Sequence, residues 1–213
     1  MTDQTDRLIS GLTEELEPVR VHMAGHGYLL AAIGLALTIA AVAATVGLWP
    51  DGISGAAAPI FYIVNGLLLL LGTASAAAVV RMASPGVGNR YDAPEWLLFA
   101  VLLLPLAALT TGLSAAELAA HFQAGHGKEC LAYATISGAG SFAVLAFWLR
   151  NGAPVAIERA SWLVGIAAGA LGSSAYGLAC PIDTLDHLAL WHIAPVVLSA
   201  LAARLALPRL IRW

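Results

Sequence analysis

Two cysteines, Cys130 and Cys180, are the only thiols in this 213-residue chain, and each stands close in sequence to other metal-ligating side chains. Glu117, His121, His126 and Glu129 lie around the first; Asp183, Asp186, His187 and His192 follow the second. Thiolate together with imidazole is a donor set for zinc or a softer metal. Two thiols in an oxidising compartment also pair as a structural disulfide, and a thiolate that attacks a disulfide carries redox catalysis. The spacing matches no strong metal motif and contains no Cys-x-x-Cys. Lys128 favours the Cys130 thiolate while Glu129 opposes it. The residues alone therefore leave three readings open: a structural disulfide, redox or metal sensing, and catalysis. The candidate metal ligands are Cys130, Cys180, His126, His187 and His192.

The elements that must position these residues are membrane helices. Hydrophobic residues make up 60% of the chain and charged residues 11%, against about 25% charged in an ordinary soluble domain. Mean hydropathy is +0.82. A core of this size cannot hide that much apolar surface from water, so the fold class is an all-α integral membrane protein. Six apolar stretches, at about 28–49, 60–80, 96–114, 131–149, 160–179 and 188–206, approach the roughly 20 residues needed to cross a hydrocarbon core of about 30 Å. No signal peptide is expected, because the first stretch lacks a small-residue cleavage site after it.

Arginine sorts the loops. With both termini in the cytoplasm, Arg7, Arg20, Arg81, Arg90, Arg150, Arg159, Arg204, Arg209 and Arg212 all fall inside, and Lys128, the sole lysine, falls outside. That is the bias of the positive-inside rule. It puts both cysteines on the outer face. Residue 155, at the inner turn between the fourth and fifth helices, is 25 residues from either cysteine. Antiparallel helices of equal length would thus bring both thiols to one height, and a Cα separation of about 5.5 Å would permit a disulfide.

The helices carry no charge at mid-depth, which argues against a coupled transporter or channel. Asn65, the main polar group at depth, reads as an interhelical hydrogen bond. Gly165 and Gly169 form a Gly-x-x-x-Gly pair, extended by Ala168 and Gly172, for close helix packing within or between chains. Pro105 and Pro195 should kink the third and sixth helices.

Residues 1–27 form a separate cytoplasmic segment ahead of the membrane domain, 28–213. Leu8, Ile9, Leu12, Leu16 and Val19 recur at helical spacing and make one apolar stripe, with Asp3, Asp6, Glu14, Glu15 and Glu17 on the other surfaces. A lone helix of this length is marginal in water. Its acidic face suits anionic lipid poorly, so a protein partner with an apolar groove is expected.

Several stretches together resemble the NrsF-like family of membrane anti-sigma factors. They are Glu129-Cys130-Leu131, Arg150-Asn151-Gly152-Ala153-Pro154, Ala175-Tyr176-Gly177-Leu178-Ala179-Cys180-Pro181, Leu190-Trp191-His192 and the ending Arg209-Leu210-Ile211-Arg212-Trp213. The opening run from Leu8-Ile9 to Glu17-Pro18-Val19-Arg20 is similar too. His192 departs from the pattern, since Tyr is expected after the tryptophan, and a histidine there adds a metal ligand. The resemblance implies a six-helix protein of the bacterial inner membrane that holds an extracytoplasmic-function sigma factor inactive. It implies the N-terminal segment as the binding element, through Leu8, Ile9, Leu12, Leu16 and Arg20, and Cys130 with Cys180 as the sensing element. It implies no enzyme, no direct contact with nucleic acid, and no cofactor beyond a transient metal ion at the outer cysteines. A quinone-linked thiol oxidoreductase and a metal or solute transporter are the competing classes. Oligomeric state stays open.

Overall fold

The computed structural model describes residues 2–14, 23–85, 92–110 and 125–211, and every regular element among them is helical. In chain order these are α1 (Thr2–Glu14), α2 (Ala24–Thr45), α3 (Pro50–Ser54), α4 (Pro59–Met82), α5 (Ala93–Thr110), α6 (Gly125–Arg150), α7 (Ile157–Gly177), α8 (Leu185–His187), a π-helical turn (Leu188–His192) and α9 (Ala194–Leu210). Proline opens four of them at the first or second position: Pro50 in α3, Pro59 in α4, Pro94 in α5 and Pro195 in α9. There its missing N–H is one the helix could not have used. Gly55, at φ 89°, closes α3 in the left-handed conformation.

Among the described residues, five helices are long and apolar enough to cross a membrane: Ala24–Thr45, Pro59–Met82, Ala93–Thr110, His126–Arg150 and the continuous stretch Leu185–Leu210. The remaining expected span is the helix α7, which forms over 21 residues but falls short in hydropathy. The reason is its position. Every residue from Leu163 to Gly177 is buried against protein, and α7 is rich in Gly, Ala and Ser. Leu29, Leu37, Leu70, Leu106, Ile136, Phe147 and Leu205, on the surrounding helices, are exposed. An apolar surface of that extent is compatible with a lipid bilayer.

α7 packs most extensively against α9, α6 and α4, and its glycines set the distance. A Cβ at Gly169 would sit 2.5 Å from Val196 Cα on α9, and one at Gly165 would collide with Ala200 and Ser199 of the same helix. On another side Gly172 meets Ala134 and Gly138 of α6 backbone to backbone. The Gly-x-x-x-Gly pair thus serves packing inside the chain. Asn65 behaves differently from expectation. Its Nδ2 donates to Phe61 O one turn back at 2.9 Å, and the interhelical bond runs from Ser174 Oγ to the Asn65 carbonyl at 3.4 Å. Pro195 stands at the second position of α9, directly after the π-helical turn, rather than in the interior of that helix. Pro105 lies inside α5.

The arginine-rich ends of the helices meet. Arg81 Nε donates to Tyr28 Oη at 2.7 Å, joining α4 to α2. Arg159 of α7 pairs with Glu95 of α5 at 2.6 Å, and Arg204 of α9 pairs with Glu158 of α7 at 2.8 Å. Trp148 Nε1 donates to Val80 O at 3.0 Å, and Ala153 N–H to Ala83 O at 2.7 Å. Cys130 and Cys180 lie at the opposite end. α1 carries its stripe outward: Leu8 is 63% exposed, Ile9 54% and Leu12 59%. Asp3 and Arg7 pair across one turn of it at 2.6 Å. Leu16, Val19 and Arg20 lie outside the described residues, as do Glu117 and His121.

Candidate functional site

Cys130 stands in the second turn of α6 and Cys180 three residues beyond α7. Because these helices run antiparallel from the turn at Asn151–Ala156, equal counts bring the sulfurs to one level. The Sγ atoms are 3.7 Å apart, both as free thiols. The spacing argument therefore held for proximity, and the two sulfurs touch without a disulfide between them. Cys180 Sγ lies 3.5 Å from His187 Nε2, and the Cys130 thiol points to Tyr176 Oη at 3.9 Å.

His192 completes the group. The ligand atoms of Cys130, Cys180, His187 and His192 all fall within 4.8 Å of one another, and all four residues are buried. Cys180 and His192 are 0% exposed, Cys130 and His187 4%. Both ring nitrogens of His192 are buried with no hydrogen-bond partner. The hydrogen bond with Cys130, and after it burial, raises the Cys180 thiol above the ordinary cysteine range.

The two histidines converge because the helix changes pitch between them. In an α-helix a five-residue step turns about 140° away from the starting face. Leu188–His192 is instead a π-helical turn, whose hydrogen bonds close from i to i+5. The two rings meet edge to face, with centroids 5.6 Å apart. The loop carrying Cys180 and leading into α8 is pinned at two points. Trp49 N–H donates to Leu178 O at 2.8 Å, and the Asp183 carboxylate accepts the Ala58 N–H ahead of α4 at 2.8 Å.

Aromatic rings wall the group. Tyr133 stacks on Tyr176 with centroids 5.5 Å apart, and Tyr176 stacks on His192 at 6.2 Å. Trp191 lies directly over Gly127, where any side chain would strike its ring. Of the candidate ligands, then, Cys130, Cys180, His187 and His192 come together. His126 does not: it is exposed and outside the group. Lys128 and Glu129 are exposed beside Cys130 in the chain, and Asp183 is occupied in holding the loop. Sequence reasoning gave Tyr176 and Trp191 no role in the site; their place next to Cys180 and His192 in the quoted motifs was the available signal.

A family described as "Negative regulator of sigma F", NrsF, matches residues 12–213. The chain belongs to the NrsF family. One curated relative, "Anti-sigma-F factor NrsF" of Caulobacter vibrioides (strain NA1000 / CB15N), is 27% identical over 222 residues, covering 99% of this chain and 100% of the relative. No solved structure matches. The NrsF match takes in every residue of the buried group and begins at Leu12, inside α1. The family's description is regulatory and names no catalysed reaction.

Proposed function

We propose that this NrsF-family chain is an anti-sigma factor of the bacterial inner membrane. It holds an extracytoplasmic-function sigma factor at its cytoplasmic end and releases it on a periplasmic stress signal received at Cys130 and Cys180. The family match carries the reading, and the relative's name agrees with it. In this account α7 is the sixth span. Its 21 residues make a helix of about 31 Å, the thickness of a hydrocarbon core. Both termini are cytoplasmic, since the joined arginine-rich ends then lie inside.

The grip is assigned to α1 and the residues after it, with Leu8, Ile9, Leu12 and Leu16 set in an apolar groove of the sigma factor and Arg20 on its acidic surface. Three exposed large apolar residues on one turn and a half of a 13-residue helix support this: alone the helix is marginal, and docking buries the stripe. The oxidoreductase reading is weaker because the chain's two cysteines make a single pair, with no second pair to receive electrons. Transport is weaker because the helices lack a mid-depth charge.

The test is capture of the purified sigma factor by the full chain in detergent. Leu12→Asp is expected to weaken capture at least ten-fold, about 1.4 kcal/mol, while the helix content and the unfolding midpoint stay as in the parent. Unchanged capture would remove the stripe from the binding face; no capture by the parent chain would remove the reading itself.

A further inference from the structure

Two separations within the buried group match those of a coordination sphere. A tetrahedral ion with bonds of about 2.3 Å to sulfur and about 2.0–2.1 Å to imidazole nitrogen sets its sulfurs about 3.8 Å apart and sulfur about 3.6 Å from nitrogen. Here the sulfurs are 3.7 Å apart and Cys180 Sγ is 3.5 Å from His187 Nε2. His192 supplies a second, independent observation. It is 0% exposed, neither ring nitrogen has a partner, and its ligand atom lies within 4.8 Å of the other three. A buried polar group without a partner is costly, and native proteins nearly always satisfy it. Coordination would do so.

We infer that Cys130, Cys180, His187 and His192 form a four-ligand site for a thiophilic divalent cation of the zinc group. Three lines of chemistry select that class. Sulfur and imidazole donors exclude magnesium and calcium, which take oxygen. Four protein ligands make a closed site, the pattern of a binding rather than a catalytic centre. Charge completes the choice: on binding, each thiol gives up its proton to solvent, and M²⁺ with two thiolates and two neutral imidazoles sums to zero. A neutral cluster is the form a water-poor pocket tolerates. The bound ion would tie α6, the loop after α7, α8 and the π-helical turn to one point. The inference deepens the outer-end sensing reading by naming what the site takes, and rests on that reading only for its regulatory meaning.

The experiment uses the full chain in detergent with a tag free of histidine, dialysed against zinc and analysed for bound metal. Cobalt(II) is then substituted as a spectroscopic probe. The expected results are about one zinc per chain, thiolate-to-cobalt charge transfer, and the d–d bands of a tetrahedral ion. Cys130→Ser and His192→Tyr are each expected to weaken zinc binding at least ten-fold, whereas His126→Ala leaves it unchanged. Should the serine variant fail to fold, the parent's cobalt spectrum and His192→Tyr still decide. Absence of stoichiometric zinc, a cobalt spectrum without sulfur charge transfer, or full retention of zinc by His192→Tyr would overturn the site. Sigma capture without zinc binding would sink this inference and spare the proposed function. Zinc binding without sigma capture would do the reverse.

Discussion

At the scale of single residues, the cysteine end depends on a few polar contacts that do not touch the sulfurs. Asp183 is the clearest. Its carboxylate accepts the Ala58 N–H at 2.8 Å, close to a helix N-terminus where the backbone dipole favours negative charge. That contact anchors the loop carrying Cys180 to α4. Hydrogen bonds to charged groups contribute about 1.5–3 kcal/mol. Asp183→Ala should lower stability by about 2 kcal/mol in equilibrium unfolding in mixed micelles, whereas Asp183→Asn, which keeps an acceptor, should recover most of it. Equal losses in both variants would mean that charge, and not the acceptor, holds the loop. His192 illustrates a different dependence. It has no polar partner of its own, so its worth lies in what the neighbouring ligand atoms do with it.

At the scale of elements, small residues fix how far apart the helices stand. Gly169 faces Val196 and Pro195 backbone atoms within 2.6 Å of where a Cβ would be. Gly66, on α4, has nothing within 4 Å of that position. Gly169→Leu should therefore force α7 from α9 and lose about 3 kcal/mol or more, beyond the usual overpacking range of 1–3. Gly66→Ala should be neutral or gain up to about 1 kcal/mol from helix propensity. The unfolding midpoints of the two variants check both. The same elements mark what a sequence discloses. Apolar length announces α2, α4, α5, α6 and α9, and the equal spacing of Cys130 and Cys180 about the inner turn announces their meeting. The burial of α7 was less visible, since a helix surrounded by protein needs no lipophilic surface and its Gly-Ala-Ser run dilutes the signal. His187 and His192 could be named as candidate ligands from the sequence, but the geometry that brings their rings together was not legible. Five residues apart they fall on different faces of an α-helix, and only the π-helical turn puts them together. Nor does spacing distinguish His126 from His192, because burial is a property of the assembled end.

At the scale of the whole molecule, two chemically distinct ends are joined by rigid rods. α6, α7 and α9 run from the cysteine–histidine group to the arginine-paired end, α7 alone spanning 21 residues, about 31 Å. They are packed through glycine contacts that leave little room for independent movement. In the proposed account, a change at one end is carried as a shift of whole helices. Coupling between two sites is a free energy shared by both, typically 1–3 kcal/mol or 5–150-fold in affinity, and it is reciprocal. The most direct measurement is the affinity of the purified sigma factor for the full chain in lipid nanodiscs, with the outer thiols free, bridged by oxidation, or loaded with zinc. The account predicts that at least one altered state weakens the complex five-fold or more, and that bound sigma factor shifts the outer-site equilibrium by the same factor. Equal sigma affinity in all three states would contradict it.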